Sequence, residues 1–93
     1  MDKTIKIFNI IREILHKNYA IQRDEIQLEA RFEIELAVDS YEMFELMEEF
    51  EEVFDIKISY DEIDAFIFDK NKKKLTVEDV ISYISDKIKE RDK

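Results

Sequence analysis

Apolar residues recur at helical spacing in three separate segments, and this periodicity is the strongest limit on how the chain can fold. In residues 5–17, IKIFNIIREILHK, and again in TVEDVISYISDKIKE near the end of the chain, aliphatic residues mark one face. Between these segments one continuous stripe, spaced i, i+3, i+4, i+7, i+10 and i+11, consists of Met43, Leu46, Met47, Phe50, Val53 and Phe54. Because an α-helix has about 3.6 residues per turn, each segment predicts an amphipathic helix, and a β-rich fold is excluded.

Local signals set the boundaries of the first two helices. The first helix is expected to end near Asn18. The second is predicted to begin at Asp39 or Ser40, because Asp39 and Glu42 have the spacing of a capping box and both carboxylates suit the positive end of a helix dipole.

The rest of the chain supplies one short helix, the cap of the last helix and one long connection. A helix is predicted around residues 61–68, and Thr76 is the expected cap of the last helix. Residues 19–37 hold only isolated apolar residues, which predicts a long ordered connection that can include a short helical turn. The fold class is therefore all-α, a four-helix bundle with three longer helices, a short third helix and a long first loop, formed as a single domain over residues 1–93.

The helical stripes and the apolar anchors of the connection define the predicted core. Its expected members are Phe32, Ile34, Leu46, Met47, Phe50, Phe54, Ile58, Ile63, Ile81 and Ile84. The sequence contains neither glycine nor proline, which normally form helix ends and tight turns. Positive-φ positions are therefore expected at asparagine, with Asn18 and Asn71 as the predicted residues.

The charge of the chain limits its partners. With 24 acidic against 15 basic residues the formal net charge is −9, so nucleic-acid binding and membrane insertion are not expected, whereas partners with basic surfaces are. The absence of cysteine excludes disulfides, thiolate zinc sites and a cysteine nucleophile, and the carboxylates lack the spacing of a calcium loop, so no metal is assigned. Neither an apolar leader nor a membrane-length apolar run is present, and the expected location is the cytoplasm.

One serine and a row of glutamates stand out in the second helix. Ser40 lies at the predicted start of this helix, where a serine often acts only as a cap. The polar side of the helix carries Glu42, Glu45, Glu48, Glu49, Glu51 and Glu52. A solvated face is the simplest interpretation of any one glutamate. Like charges at i, i+3 and i+4 nevertheless cost about 0.2–0.5 kcal/mol per pair, so a role other than helix stability favours the row.

The motif LAVDS, followed by Glu45 and Leu46, the EEF and EEVFD runs and then IKIS, resembles the acyl carrier protein family. The similarity runs without a gap from about Phe32 to Ile58, and IQRDEI, ARFEIEL and TVEDVISYI extend it more loosely. It implies a bundle of the acyl-carrier type in which Ser40 bears 4′-phosphopantetheine, transferred from coenzyme A by a phosphopantetheinyl transferase. The arm would supply the thiol that carries acyl groups as thioesters, which fits a chain without cysteine.

The resemblance also implies partners and a place for the cargo. In the family the acidic face docks onto lysine and arginine patches of acyl-handling enzymes. The best candidates here are Asp39, Glu42, Glu45, Glu51 and Glu52. Partner enzymes would perform the reactions, so the chain is expected to be a monomeric carrier and not an enzyme, with part of the core opening to hold the acyl chain. The cargo stays open among fatty acyl, specialised lipid, polyketide, aminoacyl and D-alanyl units.

The chain departs from the family pattern at four places, one of which is Ser59, where the family commonly has a proline after the second helix. Ala37 replaces the glycine expected before the Asp-Ser pair, and Tyr41 replaces the leucine or methionine expected after it. Residues 65–74 form an extension in which an apolar cluster, Phe66 to Phe68, precedes Lys70, Lys72, Lys73 and Lys74. Core packing followed by a solvated turn explains this extension, and a specialised docking element is the alternative.

A second functional class remains open at the level of the sequence. A small acidic helical adaptor could bind basic partners without any prosthetic group. His16, the only histidine, is expected at the surface of the first helix, and nothing in the sequence requires it near Ser40 for a Ser-His mechanism. The mass of the protein after incubation with coenzyme A and a transferase discriminates the carrier from the adaptor.

Overall fold

The computed structural model describes residues 3–68 and 74–93, and these residues form a helical bundle. The helices are α1 (Lys3–Tyr19), α2 (Ser40–Val53), α3 (Tyr60–Phe68) and α4 (Val77–Arg91), with a 3₁₀ turn at Arg23–Glu25 in the first connection. Within the described residues the only β feature is an isolated bridge between Arg31 and Thr76. The predicted all-α class, the short third helix and the turn in the long connection are confirmed.

The core forms where the apolar faces of the helices meet. Helix α1 packs on α4, and α2 packs on α3. Leu46, Met47 and Phe50 of the α2 stripe are completely buried, whereas Val53, the last residue of α2, is exposed. Each fully buried side chain of this size stabilises the fold by about 1.5–3 kcal/mol, so the stripe holds α2 in one rotational setting. Among the described residues no polar or charged residue is buried.

The long first connection is ordered because apolar anchors and backbone hydrogen bonds tie it to the bundle. Ile26 and Phe32 are buried in the core. The Phe32 N–H donates to the Leu75 carbonyl at 3.0 Å, and the Val77 N–H donates to the Ala30 carbonyl at 3.0 Å. These bonds fix the connection against the start of α4 and satisfy backbone groups that no helix pairs.

The prediction that Ile34 lies in the core is wrong. Ile34 is 49% exposed. It lies at the tip of a turn that is closed by the Leu36 N–H donating to the Arg31 carbonyl at 3.1 Å and by the paired side chains of Arg31 and Glu35. Phe32 and Leu36 occupy the inner side of this turn, and the residue midway between them must therefore face solvent.

Of the two asparagines predicted to have positive φ, Asn18 does not have it. Asn18 lies inside α1, and Asn71 lies outside the described residues. Positive φ is found instead at Ala20 (56°), Ala37 (56°) and Asp55 (54°). A Cβ atom in this region costs about 1–2 kcal/mol, so the chain carries a strained alanine close to the start of α2.

Helix α3 is held to α4 by a polar and aromatic cluster. Lys87 of α4 forms an ion pair with Glu62 of α3, and the Tyr83 hydroxyl donates to the same carboxylate at 3.3 Å. The Phe66 and Tyr83 rings stack with their centroids 4.5 Å apart. Burial and the nearby Glu62 charge together raise the pKa of Tyr83 to about 12, so the tyrosine remains a neutral donor at physiological pH.

The extension divides between core and surface. Ile67 is buried, and Phe66 is half-buried beneath Tyr83. Phe68 is 44% exposed, and its ring lies 6.2 Å from that of Phe44. Lys74 is exposed, whereas Lys70, Lys72 and Lys73 lie outside the described residues.

Candidate functional site

The start of α2 leaves two backbone donors beside the Ser40 hydroxyl. Asp39 is the N-cap residue: its carboxylate accepts the Glu42 N–H at 2.8 Å, and the Glu42 carboxylate accepts the Asp39 N–H at 3.1 Å. This reciprocal pair confirms the predicted capping box. Within the described part of the chain, the N–H groups of Ser40 and Tyr41 and the Ser40 hydroxyl have no hydrogen-bond partner. Ser40 is half-exposed, so solvent and other proteins can reach it.

A small apolar cleft opens at Ser40. It has a volume of about 10 Å³, and it is lined by Phe32, Glu33, Val38, Ser40, Met43, Ile67 and Leu75. The first connection, α2, α3 and the segment before α4 therefore all contribute to this cleft. The Val38 N–H donates to the Phe32 carbonyl at 2.7 Å, and this bond orients the chain that leads into Ser40.

Aromatic side chains continue the apolar surface away from the serine. Tyr41, the residue after Ser40, is 75% exposed. One helical turn further, Phe44 is half-buried and contacts the exposed ring of Phe68. The surface around Ser40 thus combines a reachable hydroxyl with exposed aromatic groups.

The predicted docking glutamates have different local roles. Glu42 belongs to the capping box, and the Glu51 carboxylate accepts the Ile58 N–H at 3.0 Å. Glu45 and Glu52 are exposed, and no side-chain hydrogen bond or ion pair joins them to another described residue. The remaining two glutamates accept hydrogen bonds at 2.8 Å, Glu48 from the Tyr60 hydroxyl and Glu49 from the Asn18 side chain.

The negative field of this helix is seen in two neighbouring tyrosines. The hydrogen bond to Glu48 raises the pKa of Tyr60 above its ordinary value. Burial raises the pKa of Tyr19, and the charges of Glu45 and Glu42 add to this shift. Both tyrosines are therefore stabilised in the neutral form that can donate hydrogen bonds to the acidic helix.

His16, which was expected at the surface of α1, is half-buried and forms a structural hydrogen bond. Its Nδ1 donates to the Ile21 carbonyl at 2.9 Å, which places the proton on Nδ1. This bond closes the chain where α1 passes into the first connection. The described residues contain no group of three or more His, Cys, Asp or Glu that could hold a metal ion.

Sequence reasoning missed Glu33, Ile67 and Leu75 as residues of the cleft. The one signal for Glu33 was its position directly after Phe32, an apolar residue expected in the core. Leu75 reaches the cleft because its carbonyl is paired with Phe32, a contact between distant parts of the chain that no local pattern encodes.

The geometry at Ser40 suits a phosphorylated group. Two unpaired backbone N–H groups at a helix N-terminus form a ready anion site, and the helix dipole favours negative charge there. The hydroxyl lies at the same place and can carry a phosphodiester. Carrier domains form a class of proteins that present a tethered group to other proteins, and this helix start is compatible with such a group.

Comparison with known proteins identifies the family within that class. Residues 6–66 match the family described as "Phosphopantetheine attachment site". The chain is 34% identical over 79 residues to the acyl carrier proteins of Borrelia garinii subsp. bavariensis and of Borreliella burgdorferi, which covers 85% of this chain and 89% of each relative. It is 37% identical over 57 residues to the acyl carrier protein of Cyanophora paradoxa, which covers 61% of this chain and 54% of that protein. The chain belongs to the acyl carrier protein family.

Membership defines the prosthetic group and the general role. The chain is a phosphopantetheine-bearing acyl carrier, and its family interacts with a transferase that installs the group and with acyl-handling enzymes. Members of the family are carriers, and the resemblance seen in the LAVDS motif is confirmed. No helix in the described ranges is long and apolar enough to span a membrane.

Proposed function

We propose that Ser40 is the residue that bears 4′-phosphopantetheine. The matched range contains two serines, Ser40 and Ser59. The Ser59 hydroxyl accepts the Glu62 N–H at 3.1 Å and caps α3, whereas the Ser40 hydroxyl has no partner among the described residues. The single observation that carries the proposal is that the hydroxyl of half-exposed Ser40 and the N–H groups of Ser40 and Tyr41 have no partner among the described residues.

The residues at the helix start fit the group. Ser40 Oγ would form the ester bond to phosphorus, and the N–H groups of Ser40 and Tyr41 would hydrogen-bond the phosphate oxygens. Asp39 and Glu42 are held in their capping box, which limits their approach to that phosphate. The bound group supplies a thiol for thioester formation, a function that no residue of this cysteine-free chain could provide.

We propose a non-enzymatic, monomeric, cytoplasmic carrier made of a single domain over residues 1–93. Within the described residues, the half-buried position of His16 and its bond to the Ile21 carbonyl argue against its use as a general base. Cargo is delivered and removed by partner enzymes in fatty acid synthesis or in a specialised lipid or secondary-metabolite pathway.

We propose that partners dock through basic surfaces onto the acidic side of α2. Asp39, Glu42, Glu45, Glu51 and Glu52 are the proposed contacts. Glu45 and Glu52 are exposed and unpaired among the described residues, so their charges are the most available to a partner. Complementary charge accelerates association and makes it sensitive to salt.

Intact mass tests the attachment residue. The purified protein is incubated with coenzyme A, Mg²⁺ and a broad-specificity phosphopantetheinyl transferase, and the expected result is one phosphopantetheine adduct. Ser40→Ala abolishes the adduct, whereas Ser59→Ala and Ser82→Ala retain it. An adduct that persists in Ser40→Ala contradicts the assignment of Ser40.

Transferase kinetics test the docking surface. Glu45→Gln and Glu52→Gln are each expected to lower kcat/KM for modification, with a larger loss at low than at high salt. Glu78→Gln on α4 is the matched control, because it removes the same charge from an exposed helical site. Equal losses of kcat/KM in all three variants would mean that the transferase responds to the net charge of the protein and not to a docking face on α2.

The alternative is an acidic helical adaptor without a prosthetic group, and the comparisons favour the carrier. The adaptor predicts an unchanged mass with several transferases while the folded protein still binds basic partners.

A further inference from the structure

Glu33 is an ionisable residue in a cleft that is otherwise lined by Ser40 and apolar residues. Five of the residues that line the cleft at Ser40 are apolar, namely Phe32, Val38, Met43, Ile67 and Leu75. Glu33 lines it as well, and it is half-buried. In the described part of the chain its carboxylate has neither a hydrogen bond nor an ion pair. The nearby arginine, Arg31, is already paired with Glu35.

An occupant of this cleft that covers the Glu33 carboxylate must satisfy it. Water hydrates the Glu33 oxygens as long as the cleft is open, and a ligand that covers them removes this water. A carboxylate that loses water without gaining a donor is strongly destabilised, whereas a hydrogen bond to a charged acceptor compensates the loss. A hydrocarbon chain provides no donor, so Glu33 favours a group with an N–H or an O–H.

The position of the cleft identifies the group that reaches it first. A group tethered to Ser40 begins at the rim of the cleft, because Ser40 itself lines it. Phosphate oxygens are repelled by the Glu33 charge and are attracted to the N–H groups of Ser40 and Tyr41. Beyond the phosphate, the pantetheine part carries first a hydroxyl and then two amide N–H groups, and all three can donate a hydrogen bond. The cleft volume of about 10 Å³ is close to the space of one water molecule, so it accepts a donor at its mouth and no long chain without opening.

We propose that the Glu33 carboxylate accepts a hydrogen bond from an amide N–H of the pantetheine arm and so positions the arm along the cleft. This inference rests on the proposed attachment at Ser40. Glu33 acts on the tether and not on the reacting thioester, which makes it a positioning residue. An amine on the cargo also donates hydrogen bonds through N–H groups. The experiment must therefore distinguish a donor on the cargo from a donor on the arm.

Amide exchange of the arm tests the proposal. The protein is loaded with phosphopantetheine labelled with ¹⁵N at both amides, and hydrogen exchange of each amide is followed by NMR. One amide of the wild-type holo-protein is expected to exchange about tenfold more slowly than in free phosphopantetheine. Glu33→Val is expected to restore the free rate, and Glu33→Gln, which keeps a neutral acceptor, is expected to give an intermediate rate.

The matched controls are Glu29→Gln and Glu29→Val. Glu29 lies in the same connection, is exposed and has no partner among the described residues. Both controls should retain the slow amide. Equal exchange rates in wild type and Glu33→Val would overturn the role of the arm amides.

Loaded forms separate the two donor sources. Acetyl-loaded and glycyl-loaded proteins are compared, with the pKa of the glycyl amine read from its ¹⁵N shift. A slow amide in the holo and acetyl forms assigns the donor to the arm. A raised amine pKa in wild type but not in Glu33→Val, without a slow amide, assigns the hydrogen-bond donor to the cargo. This result would overturn the proposed contact with the arm. Absence of both effects overturns any N–H contact at Glu33. Failure of attachment is recognised earlier, because no mass adduct forms.

Discussion

Ala37 has a left-handed backbone in the turn that leads into Ser40, at the position where the acyl carrier pattern has glycine. Its φ of 56° places the Cβ atom against the following carbonyl oxygen. Ala37→Gly removes this clash but increases the entropy of the unfolded chain, so we expect a net gain of about 0.5–1 kcal/mol in the free energy of unfolding. Urea denaturation followed by circular dichroism measures the change.

The control for Ala37 is the same substitution in a helix. Ala65 is exposed within α3, so Ala65→Gly should lower stability by about 0.5–1 kcal/mol. The opposite signs distinguish relief of strain from a general effect of glycine. A loss of stability in both variants would show that the backbone at Ala37 is not strained in solution.

Asp39 combines a structural role with a proposed docking role, and two substitutions separate them. Asn is as good an N-cap as Asp, so Asp39→Asn should leave the free energy of unfolding within about 0.5 kcal/mol, whereas Asp39→Ala should lower it by about 1 kcal/mol. Both variants lose the charge, and both should therefore be modified more slowly by the transferase at low salt. Stability and modification rate are measured on the same preparations.

Thr76 provides the control for the cap of Asp39. Thr76 caps the N-terminus of α4 with the same reciprocal arrangement, in which its hydroxyl accepts the Asp79 N–H at 3.1 Å. Thr76→Ala should lose about 1 kcal/mol of stability without a change in the modification rate. If Asp39→Asn were modified as fast as wild type, Asp39 would be a cap alone.

At the scale of helix α2, neighbouring glutamates serve different purposes. The Glu51 carboxylate accepts the N–H of the buried Ile58 and so connects the helix to the segment before α3. Removing the Glu51 carboxylate leaves the Ile58 N–H unpaired, so Glu51→Ala should lower the free energy of unfolding by about 1 kcal/mol. Glu52→Ala at the exposed neighbour should change it by less than about 0.5 kcal/mol. Chemical denaturation of the two variants measures the difference.

Glu51→Gln tests whether the hydrogen bond or the charge stabilises the link. Gln retains an acceptor oxygen, so most of the stability should return. Equal stabilities of Glu51→Ala and Glu52→Ala would mean that the bond to Ile58 contributes nothing in solution.

Helix positions and caps could be predicted because their causes are local. The capping pairs Asp39 with Glu42 and Thr76 with Asp79 are separated by three residues, and the α2 stripe repeats within one helix. Ile34 could not be placed, since its exposure depends on how the turn between Phe32 and Leu36 closes. The serine was found from a motif, whereas Glu33 became visible only when the connection folded against α2 and α3.

At the scale of the whole molecule, the position of α3 controls the site. Ile67 of α3 forms one wall of the cleft at Ser40. The same helix is attached to α4 by Glu62, Tyr83 and Lys87. Because Ile67 belongs to α3, a displacement of α3 would change the shape of the cleft, and the cluster between α3 and α4 opposes such a displacement.

The ion pair between Glu62 and Lys87 gives this attachment a pH dependence. The hydrogen bond from Lys87 holds the pKa of Glu62 below its ordinary value of 4.5, with a further contribution from the Ser59 N–H. A lowered folded-state pKa stabilises the fold above the unfolded pKa, and this stability is lost as pH falls through the folded pKa. Lys87→Met should therefore be less stable than wild type near neutral pH. The expected difference is only about 1 kcal/mol, because Glu62 is partly exposed and solvent screens the pair. The difference should shrink below about pH 4, where Glu62 becomes protonated. Urea denaturation of both proteins between about pH 3 and 7 measures it, with Lys89→Met, an exposed lysine of the same helix, as the control. A difference that is constant over this range would mean that Lys87 stabilises α3 by packing and not by its charge.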